Sequence, residues 1–108
     1  MNMNMNMNMN MNMQPMVNNN QINIVFKAIN DVKYNLVCDK GLTVSQVFQE
    51  YLIRIGKPNL FDNNSNIIEF IYNGKTIDFR NNNTKIEEFF GNRNSVEIQI
   101  ITNDLIGA

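Results

Sequence analysis

The chain contains two early runs in which apolar and polar residues alternate. Period-two alternation predicts a half-buried β-strand, because successive side chains point to opposite faces of a sheet. We predict strands at residues 22–28 and 33–38, joined into an antiparallel hairpin by a turn at Asn30 and Asp31. The side chains predicted to point inward are Ile22, Ile24, Phe26, Tyr34, Leu36 and Cys38, whereas Asn23, Val25 and Lys27 are predicted to point outward.

A change of period then marks one long helix at residues 44–55. Its apolar residues recur three and four positions apart, which forms a single stripe along a helix. Thr43 and Gln46 have the spacing of a capping box, in which each side chain bonds the backbone N–H of the other residue. Gly56 and Pro58 end the helix. The predicted stripe consists of Val44, Val47, Phe48, Tyr51, Leu52 and Ile55.

A second hairpin is predicted at residues 67–79. Asn73 and Gly74 separate two apolar runs, and this dipeptide is a strong hairpin signal because both residues tolerate positive φ. The alternation places Ile68, Phe70 and Tyr72 on one face of the strand and Ile67, Glu69 and Ile71 on the other. Neither face is fully polar, so one packs on the core and the other keeps apolar surface.

The remainder of the chain predicts a short helical turn and a last strand. Thr84 and Glu87 repeat the capping-box spacing, with the turn running to about Phe90. Residues 96–101 alternate again and are predicted to lie beside the first strand, parallel to it, at the centre of the sheet. The order ββαββ(short helix)β predicts an α+β fold, in which a mixed sheet of four to five strands packs on one helix.

The N-terminal segment differs from the rest in composition. Residues 1–13 are a Met-Asn repeat, and all eight methionines lie within residues 1–16. We expect residues 1–20 to be a disordered low-complexity tail, residues 21–102 the domain, and residues 103–108 a short C-terminal tail. Spaced thioethers are ligands for Cu(I), but a drifted DNA repeat is the simpler interpretation, and we predict no metal site and no cofactor.

Charge and composition exclude several classes of function. The net charge is −1, with no basic stripe, so nucleic-acid binding is not expected. The apolar runs are too short to span a membrane. A single cysteine fits a reducing compartment, and we expect an intracellular protein, cytoplasmic or nuclear. The chain lacks histidine, the commonest general base, and Cys38 is interpreted as a structural thiol, so no catalytic residue is predicted and enzyme activity is not expected.

Four segments carry a resemblance to a known family. Residues 24–27, Ile-Val-Phe-Lys, resemble the end of its opening strand, and Thr43 and Val44 stand at its helix start. Residues 70–78, Phe-Ile-Tyr-Asn-Gly-Lys-Thr-Ile-Asp, resemble its third-strand hairpin, and residues 84–86, Thr-Lys-Ile, resemble the short turn after it. On these segments, residues 22 to about 101 resemble the ubiquitin superfamily, and the resemblance implies its β-grasp fold.

The resemblance also implies a docking surface for other proteins. Ubiquitin's recognition patch is apolar, and Ile71 and Ile29 stand at two of its three positions, whereas Gln99 replaces its valine. Lys75 stands where the family has a chain-forming lysine, and Lys27 ends the first strand. Partners of the ubiquitin-receptor or proteasome type, and a monomeric state, are the expectations. The alternative is that Ile29 and Ile71 are ordinary exposed apolar residues.

The C-terminus departs from the family's conjugated members. These present Gly-Gly at the end of a flexible tail, whereas this chain ends Leu105-Ile106-Gly107-Ala108. We therefore expect a docking domain that is not conjugated. The alternatives are a modifier conjugated after C-terminal trimming, and another β-grasp adaptor of the oligomerising or Ras-binding type.

Overall fold

The computed structural model describes residues 18–62 and 67–102. The predicted tail at residues 1–20 lies outside the described residues except for its last three positions, and the predicted tail at residues 103–108 lies wholly outside them. The elements in chain order are β1 (Gln21–Lys27), β2 (Lys33–Asp39), α1 (Val44–Arg54), a 3-10 turn (Pro58–Phe61), β3 (Ile68–Tyr72), β4 (Lys75–Thr76), α2 (Ile86–Phe90) and β5 (Ser95–Thr102).

The strands form one mixed sheet in the order β2-β1-β5-β3-β4. The central pair, β1 and β5, is parallel, with Phe26 opposite Ile98, and the other pairs are antiparallel. A parallel pair requires a long crossover, which here contains α1. The predicted α+β architecture and the parallel pairing of the first and last strands are confirmed.

The sequence features that begin and end α1 act as predicted. The Gln46 N–H donates to Thr43 Oγ1 at 3.2 Å, and the Thr43 N–H donates to Gln46 Oε1 at 2.9 Å. The helix ends at Arg54, with Ile55 as its C-cap, and Gly56 adopts a φ of 79°, the left-handed conformation that glycine tolerates best. The predicted stripe is buried except for Ile55, which is half-buried.

Aromatic rings fill the space between α1 and the inner face of the sheet. Phe70 is fully buried, with its ring centroid 4.8 Å from both Phe48 and Phe79. Phe26 stacks on Tyr51 with their centroids 3.9 Å apart. α1 packs on this face, and α2 joins it through the contact of Phe90 with Tyr72. Both helices of the described residues therefore lie on the same side of the sheet.

The predicted capping box at Thr84 is wrong. The N-cap of α2 is Lys85, and no side chain caps this helix. Instead, the Ile86 N–H donates to the Leu42 carbonyl at 2.8 Å, and the Glu87 N–H donates to the Lys40 carbonyl at 3.1 Å. The loop before α1 thus satisfies the first N–H groups of α2, which removes the need for a side-chain cap.

Two residues predicted to point outward are buried. Asn23 and Val25 lie on the outer face of β1 but are only 1% and 7% exposed. Because β1 has strands on both sides, residues of β2 and β5 flank each position; for Val25 these are Asn35 and Glu97. The Asn23 Nδ2 group donates to Asn35 Oδ1 at 3.1 Å. Burial on this face therefore depends on the central position of β1 in the sheet. The alternation pattern only assigns each side chain to one of two faces and does not give that position.

Candidate docking surface

The strand register brings three of the sequence-predicted residues into one row. Lys27 lies opposite Gln99, and Gln99 lies opposite Ile71. Residues directly opposite each other in a sheet share a face, so this row crosses β1, β5 and β3 on the outer face. Ile71 is half-buried and Gln99 is exposed.

Ile29 lies in the turn that follows β1 and is 78% exposed. The turn is closed by local bonds, because the Ala28 N–H donates to the Val32 carbonyl at 2.9 Å and the Val32 N–H donates to Asn30 Oδ1 at 3.2 Å. Asp31 takes a φ of 67° within it. A hydrogen-bonded turn therefore holds Ile29 at the end of β1, two positions beyond Lys27.

The structure places Lys75 apart from this row. Asn73 and Gly74 form the predicted hairpin turn, with φ values of 52° and 78°. Lys75 then pairs with Tyr72, and Tyr72 belongs to the inner face, where it packs against Phe90. Lys75 is exposed, but it shares the side of Tyr72 at the edge of the sheet and not the side of Ile71.

The sequence reasoning missed Ile101, which is 39% exposed. It lies opposite Glu69 in β3 and two positions beyond Gln99, so it belongs to the outer face. The signal was present, since the alternation that places Gln99 outward places Ile101 outward as well. We define the outer-face surface as Ile29, Ile71 and Ile101, with Lys27 and Gln99 between them.

Exposed ion pairs border the outer-face surface. Lys27 Nζ lies 3.4 Å from Asp31 Oδ1, and Lys33 Nζ lies 4.0 Å from Glu97 Oε1. Such pairs at the solvent contribute only about 0–1 kcal/mol each, so the charged groups can rearrange when a partner approaches. The surface mixes apolar and polar side chains, as non-obligate protein–protein interfaces do.

Cys38, the candidate nucleophile of the sequence, has the properties of a structural residue. Burial, with a smaller contribution from the charge of Asp39, raises the pKa of the Cys38 thiol from 9.0 to about 11. A nucleophilic cysteine requires a lowered pKa, so this thiol is protonated at neutral pH and poorly reactive.

Within residues 18–62 and 67–102, no three His, Cys, Asp or Glu side chains are grouped so that they would hold a metal ion. The helices of that part of the chain are too short and too polar to cross a membrane.

Comparisons with known proteins bear on the fold. No family model matches the chain, and no curated protein is similar to it in sequence. Among solved structures, the ubiquitin-like (UBL) domain of yeast Ddi1 superimposes with a TM-score of 0.61 at 12% identity, covering 82% of this chain and all of that domain.

A de novo designed protein based on ubiquitin superimposes on the chain as well. Its TM-score is 0.54 at 16% identity, and the match covers 79% of this chain and 92% of the design. The strand order, the parallel central pair and the single long helix agree with these likenesses. The chain therefore has the ubiquitin-like β-grasp fold that its sequence resembles.

Proposed function

We propose that this domain is a non-catalytic docking module, recognised by other proteins through the outer-face surface. The observation that carries the proposal is the exposure of Ile29, at 78%, beside a row of outward residues. A single exposed apolar side chain is ordinary. Here, however, Ile101 lies two positions beyond Gln99 on the outer face, and Ile29 lies two positions beyond Lys27 in the turn that follows β1. Because Lys27 and Gln99 are paired in parallel strands, both isoleucines lie at the same end of the sheet.

The available apolar area suits a modest affinity. Full burial of an isoleucine side chain contributes about 1.5–3 kcal/mol, and Ile29 begins almost fully exposed whereas Ile71 and Ile101 begin partly covered. Association itself costs at least about 4 kcal/mol. The surface therefore supports reversible binding in which each isoleucine matters, and the domain acts as a monomer that presents it.

We further propose that Gly107 is not used to conjugate the domain to other proteins. Conjugated modifiers present two successive glycines, whereas Gly107 follows Ile106. Glycine is needed there because only its backbone tolerates close approach in a narrow channel. A ladder of heavier species carrying the tagged chain, lost when Gly107 is replaced by alanine, would overturn this part of the proposal.

The docking proposal is tested by protein capture with matched variants. Tagged wild-type, Ile29→Asp and Ile71→Asp chains are incubated with native lysate, and the captured proteins are quantified by mass spectrometry. Ile53→Asp is the control, because Ile53 is 51% exposed but lies on α1. We expect one set of proteins to be lost from both outer-face variants and kept by the control. Identical capture by all four chains, each shown to be folded by circular dichroism, would refute the proposal.

A further inference from the structure

β2 lies at an edge of the sheet. In the described part of the chain it is the outermost strand, and β1 pairs with it on one side only. An edge strand carries a row of unpaired N–H and C=O groups that another strand can bind. All seven residues of β2 pair with β1 in one continuous register, and none of them is proline. The strand is therefore regular along its whole length and able to accept a further strand.

The hydrogen bonds at the two ends of the β1–β2 hairpin show which groups of β2 face the free edge. The Ala28 N–H donates to the Val32 carbonyl at 2.9 Å. At the other end, the Lys40 N–H donates to the Asn20 carbonyl at 2.9 Å. Both bonds fit the register of the two strands, and hydrogen-bonded pairs alternate with non-hydrogen-bonded pairs along an antiparallel ladder. The residues of β2 whose N–H and C=O groups point to the free edge are therefore Lys33, Asn35, Val37 and Asp39.

The two charged residues of β2 have opposite signs and stand at its two ends. Lys33 is the first residue of the strand and Asp39 is the last, and both are exposed. Asp39 makes no ion pair within residues 18–62 and 67–102, and the Lys33 Nζ atom reaches Glu97 Oε1 only at 4.0 Å. Charges along an edge discourage pairing. Here they leave the middle of the edge open and give it a direction.

A second copy of β2 complements this charge pattern when it runs antiparallel. In the arrangement centred on Leu36, Lys33 of each copy lies opposite Asp39 of the other, and all seven residues of both strands are paired. Opposite charges directly across a sheet stabilise the pairing, whereas like charges destabilise it. A parallel arrangement in the same register would place lysine opposite lysine and aspartate opposite aspartate. The charges therefore favour one direction and one register.

The same register aligns the backbone groups that point to the free edge. It places Lys33 opposite Asp39 and Asn35 opposite Val37, so each of these pairs joins two residues whose N–H and C=O groups face each other. A pair of this kind exchanges two hydrogen bonds. Because the two-fold axis repeats both pairs, the two strands form roughly eight backbone hydrogen bonds.

The side chains between these pairs are apolar enough to pack against a second copy. In this register Tyr34 of one copy lies opposite Cys38 of the other, and both side chains are half-buried in the single chain. Cys38 lines a groove of about 470 Å³ between β2 and α1, together with Leu42 and Val47. The net charge of each chain is only −1, so two copies repel each other weakly.

We propose that two copies of this chain pair through their β2 strands, antiparallel and centred on Leu36, with Lys33 of each copy opposite Asp39 of the other. The pairing uses the β2 edge of both copies, so it closes at two. Since paired residues share a face, the outer-face surfaces of both copies lie on the same face of one continuous sheet. The inference goes beyond the proposed docking function and does not depend on it. The single chain that presents the outer-face surface is the form at low concentration, and the pair presents that surface twice.

Sedimentation of charge variants of the full-length chain tests the pairing. We expect the wild type to pass from one copy to two as its concentration rises. Lys33→Glu and Asp39→Lys should each raise the dissociation constant of the pair about tenfold, because each places like charges opposite each other at both ends. An equimolar mixture of the two variants should pair again, since every acidic end of one chain then faces a basic end of the other.

Lys75→Glu and Asp78→Lys are the matched controls. They make the same charge changes at exposed residues beside the opposite edge of the sheet, in β4 and just after it. We expect neither to change the dissociation constant. Weakening by the controls equal to that by the β2 variants would overturn the proposal, and so would a wild-type chain that assembles beyond two copies. A wild-type chain that stays a single copy up to its solubility limit would also overturn it, and would leave the edge to an extended segment of another protein.

Cross-linking tests the register. Tyr34→Cys places a thiol opposite Cys38 of the other copy in a non-hydrogen-bonded pair, where Cα atoms about 4.5 Å apart suit a disulfide. Positions 34 and 38 of one extended strand are about 13 Å apart, which is too far for that bond. With glutathione disulfide as the oxidant, one thiol forms a mixed disulfide and releases one glutathione. The thiol of the other copy then displaces the second glutathione.

Asn35→Cys is the control for the cross-link, because in the proposed register residue 35 lies opposite Val37 on the other face of the sheet. We expect covalently joined pairs to form severalfold faster from Tyr34→Cys than from Asn35→Cys. Equal rates in two folded variants would overturn the proposal. Tyr34 contacts Tyr51, with ring centroids 5.7 Å apart, and should its replacement prevent folding, the charge variants still decide.

Discussion

Replacing Thr43 with alanine removes one half of the capping box that begins α1. The lost contact is the hydrogen bond of 3.2 Å from the Gln46 N–H to Thr43 Oγ1. The reciprocal bond of 2.9 Å, from the Thr43 N–H to Gln46 Oε1, uses the backbone of residue 43 and can remain. The substitution therefore isolates the contribution of one hydroxyl group to the start of the helix that carries much of the core.

The expected cost follows from the type of contact that is lost. Threonine-to-alanine changes at helix N-caps lower the free energy of unfolding by about 0.5–2 kcal/mol, typically about 1. Because one of the two capping bonds remains, we expect about 1 kcal/mol for Thr43→Ala. For a domain of this size that corresponds to a fall of about 4–8 °C in the melting temperature.

Thr84→Ala is the matched control, since the sequence gives Thr84 the same capping-box spacing. Its hydroxyl caps no helix, and its backbone contacts survive the change, because the Thr84 carbonyl accepts from the Val44 N–H and the Thr84 N–H donates to Asn82 Oδ1. We expect an effect within about 0.5 kcal/mol. Both variants are measured by urea unfolding followed by circular dichroism. A cost for Thr84→Ala equal to that for Thr43→Ala would refute the assignment of the caps.

Three further predictions concern the core, a turn and pH. Phe70→Ala should lower the free energy of unfolding in urea by about 3–5 kcal/mol because Phe70 is fully buried, whereas Phe61→Ala, at a half-buried position, should cost less than half as much; equal costs would contradict this. Gly74→Ala should cost about 1 kcal/mol in the same assay because its φ of 78° disfavours a Cβ atom, and a neutral result would contradict the turn geometry. Burial raises the pKa of Cys38 from 9.0 to about 11 and that of Tyr51 from 10.0 to about 12. Folding therefore favours their neutral forms, and this contribution, complete below pH 9, should be lost as pH rises from 9 to 11 for Cys38 and from 10 to 12 for Tyr51. Thermal melts should show a shallower loss between pH 9 and 11 in Cys38→Ala than in wild type, and parallel curves would count against the burial of the thiol.

Local signals in the sequence predicted those parts of the fold that depend on local interactions. The box at Thr43 and Gln46 works because both partners lie within one helical turn, and the turn at Asn73 and Gly74 works because these residues tolerate positive φ. The same local reasoning was wrong at Thr84. There the competing hydrogen-bond acceptors are the carbonyls of the loop before α1, which are distant in sequence.

The candidate site likewise has features that local sequence patterns predicted and features that only the packing of the whole sheet decided. The alternation predicted that Ile71 and Gln99 point outward, and it contained the signal for Ile101 as well. It did not contain the strand register, which makes Gln99 the neighbour of both Lys27 and Ile71 and which pairs Lys75 with Tyr72 on the other side of the sheet. Register joins residues from different strands, so it depends on how the whole sheet packs over the core.

The sequence by itself determined the order of the elements, the inward stripe of α1 and the inner-face residues, because periodicity and capping are properties of short segments. The expectation of a β-grasp fold came from the resemblance of several segments to the ubiquitin superfamily. Only the tertiary structure decided which outward residues are buried and which are available. Asn23 and Ile29 both lie outside the predicted core, yet the first is 1% exposed and the second 78%. The physical reason is position in the sheet, since Asn23 is flanked by strands on both sides and Ile29 extends beyond the last paired residue of β1.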